Sequence, residues 1–199
     1  MLFSKLETSS IEVLLGKFAV KELIEFERFC RDNALWEQMK ECYAKESKVT
    51  ISWYKGDGYG FVEASRKMKI VAPHKLNNTL VWLNGNRAVA VCMACIQTRK
   101  EIEGIAMDLS SYVRLVYTVF KDEDIWKIAS LDAIYEKDNL VPFSPASVHP
   151  SHTHRPSYAL LTSMIESENH TIDQELPGDD CPELREALLS KVEEWLIDA

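Results

Sequence analysis

Between residues 79 and 135 the chain runs as four stretches rich in β-branched and apolar residues, separated by short turns. The stretches are 79–83, 87–98, 105–120 and 125–135. Asn84-Gly85 is the sharpest break, because two-residue hairpin loops need positive φ and these two residues adopt it cheaply. Asp122-Glu123-Asp124 turns the chain into the last stretch. Connections this short join antiparallel neighbours, so the segment predicts a four-stranded meander. Strands this long twist strongly, and such a sheet can curl around a cavity that other elements close.

The closing elements lie upstream. Leu23, Ile24, Phe26, Phe29 and Cys30 recur at helical spacing and predict an amphipathic helix over about 20–30. Asp32-Asn33 interrupts it, and either residue can cap a second helix whose apolar stripe is Leu35, Trp36, Met39, Cys42 and Tyr43. Residues 48–54 predict a strand, Gly56-Asp57-Gly58 a turn, and 59–68 a third helix with Phe61, Ala64 and Met68 on one side. The order is helix, helix, strand, helix, meander: an α+β domain over residues 10–140.

Residues 141–199 read as an extension. A loop over 141–156 holds four prolines and three histidines. Pro156 then opens a short helix with Tyr158, Leu161 and Ile165 on one face. A last helix, 182–197, gathers Leu184, Leu188, Val192, Trp195 and Leu196 on one stripe. A lone helix of that length is marginal in water, so the stripe is expected to be buried against the domain or a second subunit.

With 46% apolar and 27% charged residues, the 199-residue chain is of ordinary globular composition and long enough to bury a core. A net charge of −8 and the lack of a basic cluster argue against nucleic acid or an anionic membrane as partner. No run of eighteen apolar residues predicts a membrane span. Five scattered cysteines, an odd number, predict reduced thiols and a cytoplasmic protein. Cys92 and Cys95 sit three apart on a strand, facing opposite sides, so they cannot chelate together. His149, His152 and His154 invite a zinc reading, but no Cys, Asp or Glu within the loop completes a set, and no metal is expected. Gly-rich phosphate loops and a Gly-x-Ser-x-Gly elbow are lacking, so no cofactor is expected.

The candidate chemistry lies in Asp32 and His74. A carboxylate can orient an imidazole and set its tautomer, and the imidazole can exchange a proton with a bound small molecule. The plainer readings are a helix cap for Asp32 and a solvated loop residue for His74. Tyr112 and Arg114 alternate with Val113 and Leu115. They could orient a substrate oxygen or carboxylate, or form the solvated face of a sheet. Trp53 and Tyr54 are candidate pocket walls or core aromatics. The strand segment 89–96 is apolar on both sides, which suits a sheet packed within and against a partner.

The helix ending near Asp32, Trp36 four residues on, Val49-Thr50-Ile51-Ser52-Trp53, His74, Asn84-Gly85-Asn86-Arg87-Ala88 and Ile125-Trp126-Lys127-Ile128-Ala129 together resemble the SnoaL-like branch of the nuclear transport factor 2-like superfamily. The resemblance covers about residues 18–140. It implies a cystatin-like roll: a cone-shaped, curled antiparallel sheet around an apolar pocket, with a C-terminal helical extension here. The members most similar in pattern are scytalone dehydratase, lindane dehydrochlorinase and bile acid dehydratase, in which an Asp–His pair removes a proton from carbon. The matching positions are Asp32 and His74. Trp53 falls where scytalone dehydratase presents a water-binding tyrosine, Tyr112 near its second catalytic histidine, and Arg31 where a tyrosine precedes the catalytic Asp. The resemblance thus implies a cofactor-independent lyase or isomerase acting on a small, largely apolar, oxygenated molecule, and a homodimer. Its non-catalytic members imply the alternative, a ligand-binding or assembly module.

Overall fold

The computed structural model describes residues 10–68 and 72–143, and beyond them 154–156, 159, 162, 166, 171–177, 180–184, 186–188 and 190. The chain divides into two compact units, with the boundary between Phe143 and Ser144.

The first unit opens on α1, Ile11–Asp32, capped by Ser10, whose Oγ accepts from the Val13 amide at 3.4 Å. This helix starts well before the expected residue 20. Its first half carries the exposed Ile11, Leu14, Leu15 and Phe18, so apolar periodicity does not mark a buried face there. Asp32 is its last residue, and the Asn33 amide closes it on the Phe29 and Arg31 carbonyls. The short α2, Trp36–Cys42, has Leu35 at its N-cap with no side-chain cap bond. Neither Asp32 nor Asn33 caps it, because Asp32 is held elsewhere and the Asn33 amide group donates to Phe29 O.

Tyr43, expected on the α2 stripe, instead starts β1, Tyr43–Ile51. A turn through Ser52 and Trp53 leads to β2, Tyr54–Gly56, and then α3, Gly58–Arg66. Gly58 lets α3 sit directly on β1: a Cβ there would fall 2.4 Å from Ser47 Oγ and 2.5 Å from Tyr43 Cδ1. The meander follows as β3, His74–Asn84; β4, Arg87–Ile102; β5, Ile105–Asp122; and β6, Ile125–Pro142. Of the hairpin residues Gly85 and Asn86, which lie between the paired Asn84 and Arg87, only Gly85 has positive φ, +56°. The turn is therefore shifted by one residue from the expected Asn84-Gly85 centre.

The strands form one mixed sheet in the order β2-β1-β6-β5-β4-β3, curled but unclosed. All pairs are antiparallel except β1 with β6, which is parallel with Val49 opposite Leu131. The meander β3–β6 is antiparallel as expected, and the excursion through β2 and α3 brings β1 beside the last strand in parallel. Two register shifts in the β5–β6 ladder leave Glu136 and Ala129 as extra residues on β6, and bulges of this kind sharpen twist.

One sheet face meets the helices. Ala88, Ala90, Cys92 and Ala94 of β4 are buried there, and their small side chains let α1 approach closely. Val113, Leu115, Tyr117 and Val119 of β5 and Ile128 and Leu131 of β6 complete the core with Val20, Ile24, Met39, Phe61 and Val62. The opposite face leaves Leu80 (60%), Met93 (44%) and Ile134 (44%) exposed. Among the described residues no helix is long and apolar enough to cross a membrane.

In the second unit, Ala159 and Thr162 are buried and helical. Arg155 donates to the Gln174 carbonyl at 3.1 Å and to Asp180 at 3.2 Å. Residues 182–184, 186–188 and 190 are helical. Tyr158, Leu161, Ile165, Val192, Trp195 and Leu196 lie outside the described residues.

Candidate functional site

The last turn of α1 delivers Asp32 to the first residue of β3. Asp32 Oδ2 accepts the His74 amide at 2.6 Å, and Oδ1 lies 2.8 Å from the ring Nδ1. One carboxylate therefore holds both the backbone and the ring of His74. The chain before it is fixed as well, since the Gln97 amide of β4 donates to the Pro73 carbonyl at 3.0 Å. An ionised Asp32 can only accept, so Nδ1 carries the proton and Nε2 keeps its lone pair.

Burial disfavours charge on both groups. For Asp32 it pushes the carboxyl up, but the His74 bonds and the Arg31 charge outweigh it and hold the group below its ordinary value. For His74, burial dominates and Arg28 adds to it, against the pull of Asp32, so the ring sits below the ordinary 6.5. The resting pair is then carboxylate and neutral imidazole. NMR titration is expected to place His74 below 6.5, and lower still in Asp32→Asn, which removes the attraction that raises it. Unfolded chains take up both protons first, so stability is full above 6.5, falls as pH drops below it on account of His74, and falls again below 3.8 on account of Asp32. A His74 value above 6.5, or an unchanged one in Asp32→Asn, would contradict this coupling.

Behind the pair lies a polar cluster within the core. Glu27 and Arg28 are buried and ion-paired, and both Glu27 oxygens accept from the guanidinium. The Tyr43 hydroxyl donates to Glu27 Oε1 at 2.9 Å, and Arg28 lies over the Phe61 ring, 5.6 Å from its centroid. Tyr117 is fully buried, and its hydroxyl has no hydrogen-bond partner among the described residues. Sequence reasoning passed over these residues, although signals existed. Glu27 and Arg28 continue the buried α1 positions Val20 and Ile24 at helical spacing, and Tyr117 is in phase with Val113, Leu115 and Val119 on β5.

The other expected residues are placed differently. Tyr112 and Arg114 stand on the sheet face turned away from the helices, one residue out of phase with the buried Val113 and Leu115. Their partners are on β6: Lys137 Nζ lies 5.3 Å from the Tyr112 ring centroid, and Arg114 Nε lies 2.9 Å from Glu136 Oε1. The fully buried tyrosine of this strand is Tyr117. Trp53 is in the β1–β2 turn rather than on a strand, 40% exposed. Trp53 and Tyr54 each pack on Phe61, with centroids 5.5 Å away. His149 and His152 lie outside the described residues, and His154 Nε2 is 3.0 Å from Glu166 Oε2.

A cavity of about 150 Å³ opens beside the Asp32 carboxylate, lined by Arg31, Trp36, Ser65, Met68 and Pro73 among others. A larger one, about 760 Å³, lies at the far end of β3 around Trp82, Arg87 and Phe120, away from the pair.

No family model matches the chain. Two proteins of the fungus Fusarium vanettenii are similar in sequence. A PEP2-like protein is 26% identical over 140 residues, covering 67% of this chain and 60% of that protein. Pea pathogenicity protein 2 is 26% identical over 138 residues, covering 66% and 59%. The match thus spans about three fifths of these relatives' length. Among solved structures, a candidate scytalone dehydratase from Novosphingobium aromaticivorans superposes with a TM-score of 0.53 at 14% identity, over 67% of this chain and 96% of that one. Hexachlorocyclohexane dehydrochlorinase LinA-type3 from Novosphingobium barchaimii gives 0.58 at 13% identity, over 69% and 99%. At these identities the likeness is one of fold. The chain has the cystatin-like fold seen in a nuclear transport factor 2-like protein of Novosphingobium aromaticivorans.

Proposed function

We propose that this protein is a cofactor-independent lyase or isomerase in which His74 is the general base and Asp32 its orienting partner. The observation that carries the reading is the 2.8 Å contact between Asp32 Oδ1 and Nδ1 of a buried ring. Nε2 takes a proton from carbon, and the C–H electron pair forms the new double bond as the bond to the leaving group breaks. For a hydroxyl leaving group, the imidazolium returns its proton to that oxygen and water departs. Asp32 stabilises the imidazolium between the two steps. Similarity of fold to structures named for elimination enzymes supports this reading. The buried thiols of Cys30, Cys42, Cys92 and Cys95 are unpaired, which suits a reducing cytoplasm.

The test is incubation with small oxygenated or halogenated compounds in D₂O, followed by mass spectrometry. Loss of water or hydrogen halide, or deuterium uptake at carbon, is expected from the wild type and not from His74→Ala. Turnover that survives His74→Ala would remove the assignment.

A second reading, a ligand-binding module without turnover, is favoured by Arg31 standing where the scytalone dehydratase pattern has a tyrosine, and by the outward Tyr112. Native mass spectrometry separates the two. A co-purifying molecule retained equally by wild type, Asp32→Asn and His74→Ala, with no turnover, points to the module.

The exposed Leu80, Met93 and Ile134 on the outer sheet face support a homodimer packed sheet to sheet. Light scattering is expected to give twice the 22.8 kDa of one chain, and a monomer across micromolar concentrations would exclude it.

A further inference from the structure

We propose that the cavity beside Asp32 is a carboxylate-binding subsite in which Arg31 and Ser65 are the donors, so that the molecule acted on is a small carboxylic acid. The inference rests on the His74 reading for its reaction but not for its binding.

Arg31 occupies the last turn of α1, and its side chain is only 10% exposed. A guanidinium has five N–H donors in a planar fork. The contacts it makes here are long: Nη1 lies 3.4 Å from Asp32 Oδ1, and Nη2 lies 3.8 Å from Met68 Sδ. Asp32 also borders the cavity, but its two oxygens are committed to His74 at 2.6 and 2.8 Å. The neighbouring cation of the same helix, Arg28, has its own carboxylate in Glu27. Arg31 is therefore a nearly buried charge with weak compensation, a costly arrangement unless something completes it.

Ser65 supplies the second, independent observation. It stands near the end of α3 and is 4% exposed, and its Oγ is buried with no hydrogen-bond partner among the described residues. It lines the same cavity as Arg31. Buried hydroxyls without partners are uncommon. A rigid fork of N–H groups and a lone hydroxyl around a space of about 150 Å³ match a planar carboxylate, whose oxygens offer about four acceptor sites. Among the described residues, Trp36, Met68, Ala34, Ala72 and Pro73 add apolar surface, which suits a short carbon skeleton.

This changes the expected substrate. A small, largely apolar molecule with a single neutral oxygen would satisfy only part of the Arg31 fork and bring no charge to balance it. A carboxylic acid bound by Arg31 would lie beside Asp32, and ion pairing of its carboxylate makes the adjacent carbon acid easier to ionise.

The test uses the full chain with acetate as the probe and chloride at equal ionic strength as the control. Binding is followed by tryptophan fluorescence, with Trp36→Phe to assign the signal, and by the shift in melting temperature. Saturable binding in the millimolar range is expected, as for a ligand of so few atoms. Arg31→Met should weaken it about 10–100-fold and Ser65→Ala about fivefold, the loss of charge-assisted and neutral hydrogen bonds respectively. Arg31→Lys keeps the charge without the fork, so saturable binding weaker than that of wild type supports the proposal even if Arg31→Met fails to fold. Absence of saturation in the wild type, equal affinity in Arg31→Met or Arg31→Lys, or equal competition by chloride would overturn the subsite. If acetate binds as expected while no carboxylic acid is turned over, the subsite stands and the lyase reading fails alone.

Discussion

Glu27→Ala is expected to lower the unfolding free energy by about 3–5 kcal/mol, the cost of leaving one partner of a buried ion pair uncompensated. Arg28 would then hold its charge at 4% exposure with no carboxylate, and Tyr43 would lose the acceptor of its hydroxyl. Burial already works against the Arg28 charge, and Glu27 is what keeps it ionised there. The double variant Glu27→Leu/Arg28→Met removes both charges at once and fills similar volume, so it should recover most of the loss. Urea unfolding of wild type, Glu27→Leu, Arg28→Met and the double variant forms a cycle whose coupling measures the pair. A cost below about 1 kcal/mol for Glu27→Ala would mean that water reaches the pair and that it behaves as a surface contact.

The meander was legible because its signal is local. Runs of β-branched residues broken by turn residues report both strand and hairpin without knowledge of distant neighbours, and three of the four long strands differ from expectation mainly in length. The parallel pairing of β1 with β6 was not legible, since nothing in residues 43–51 indicates which strand some eighty residues later they will join. The start of α1 was hidden for the opposite reason. Its first turns expose their apolar residues, so no buried face was there to be read.

The site divides along the same line. Asp32 and His74 were singled out by residue type and order, and their contact depends on where α1 ends and β3 begins. Tyr112 stands next to the buried Val113 on β5, where a shift of one residue exchanges the two faces. The β5–β6 ladder contains two register shifts, which residue spacing alone does not reveal. Glu27 and Arg28 were overlooked because charged residues on a helix ordinarily mark its solvated face, and here they continue the buried one.

The largest functional effect is expected at the pair itself. Once a substrate is in hand, His74→Ala should reduce turnover about 10²–10⁴-fold, the usual contribution of a positioned general base. Asp32→Asn should approach the same loss by a different route. An asparagine that still meets Nδ1 can present either its carbonyl or its amide group, so it no longer enforces the tautomer with a lone pair on Nε2, and it removes the charge that stabilises the imidazolium. Because the two residues act as one unit, the double variant should be hardly slower than His74→Ala alone. The pH profile distinguishes a base from a mere positioning group. The wild-type rate should rise with pH through the ionisation of His74, whose value lies below 6.5, and this limb should vanish in His74→Ala. Independent, multiplicative losses in the double variant, with the acid limb retained, would show that the proton goes to another group.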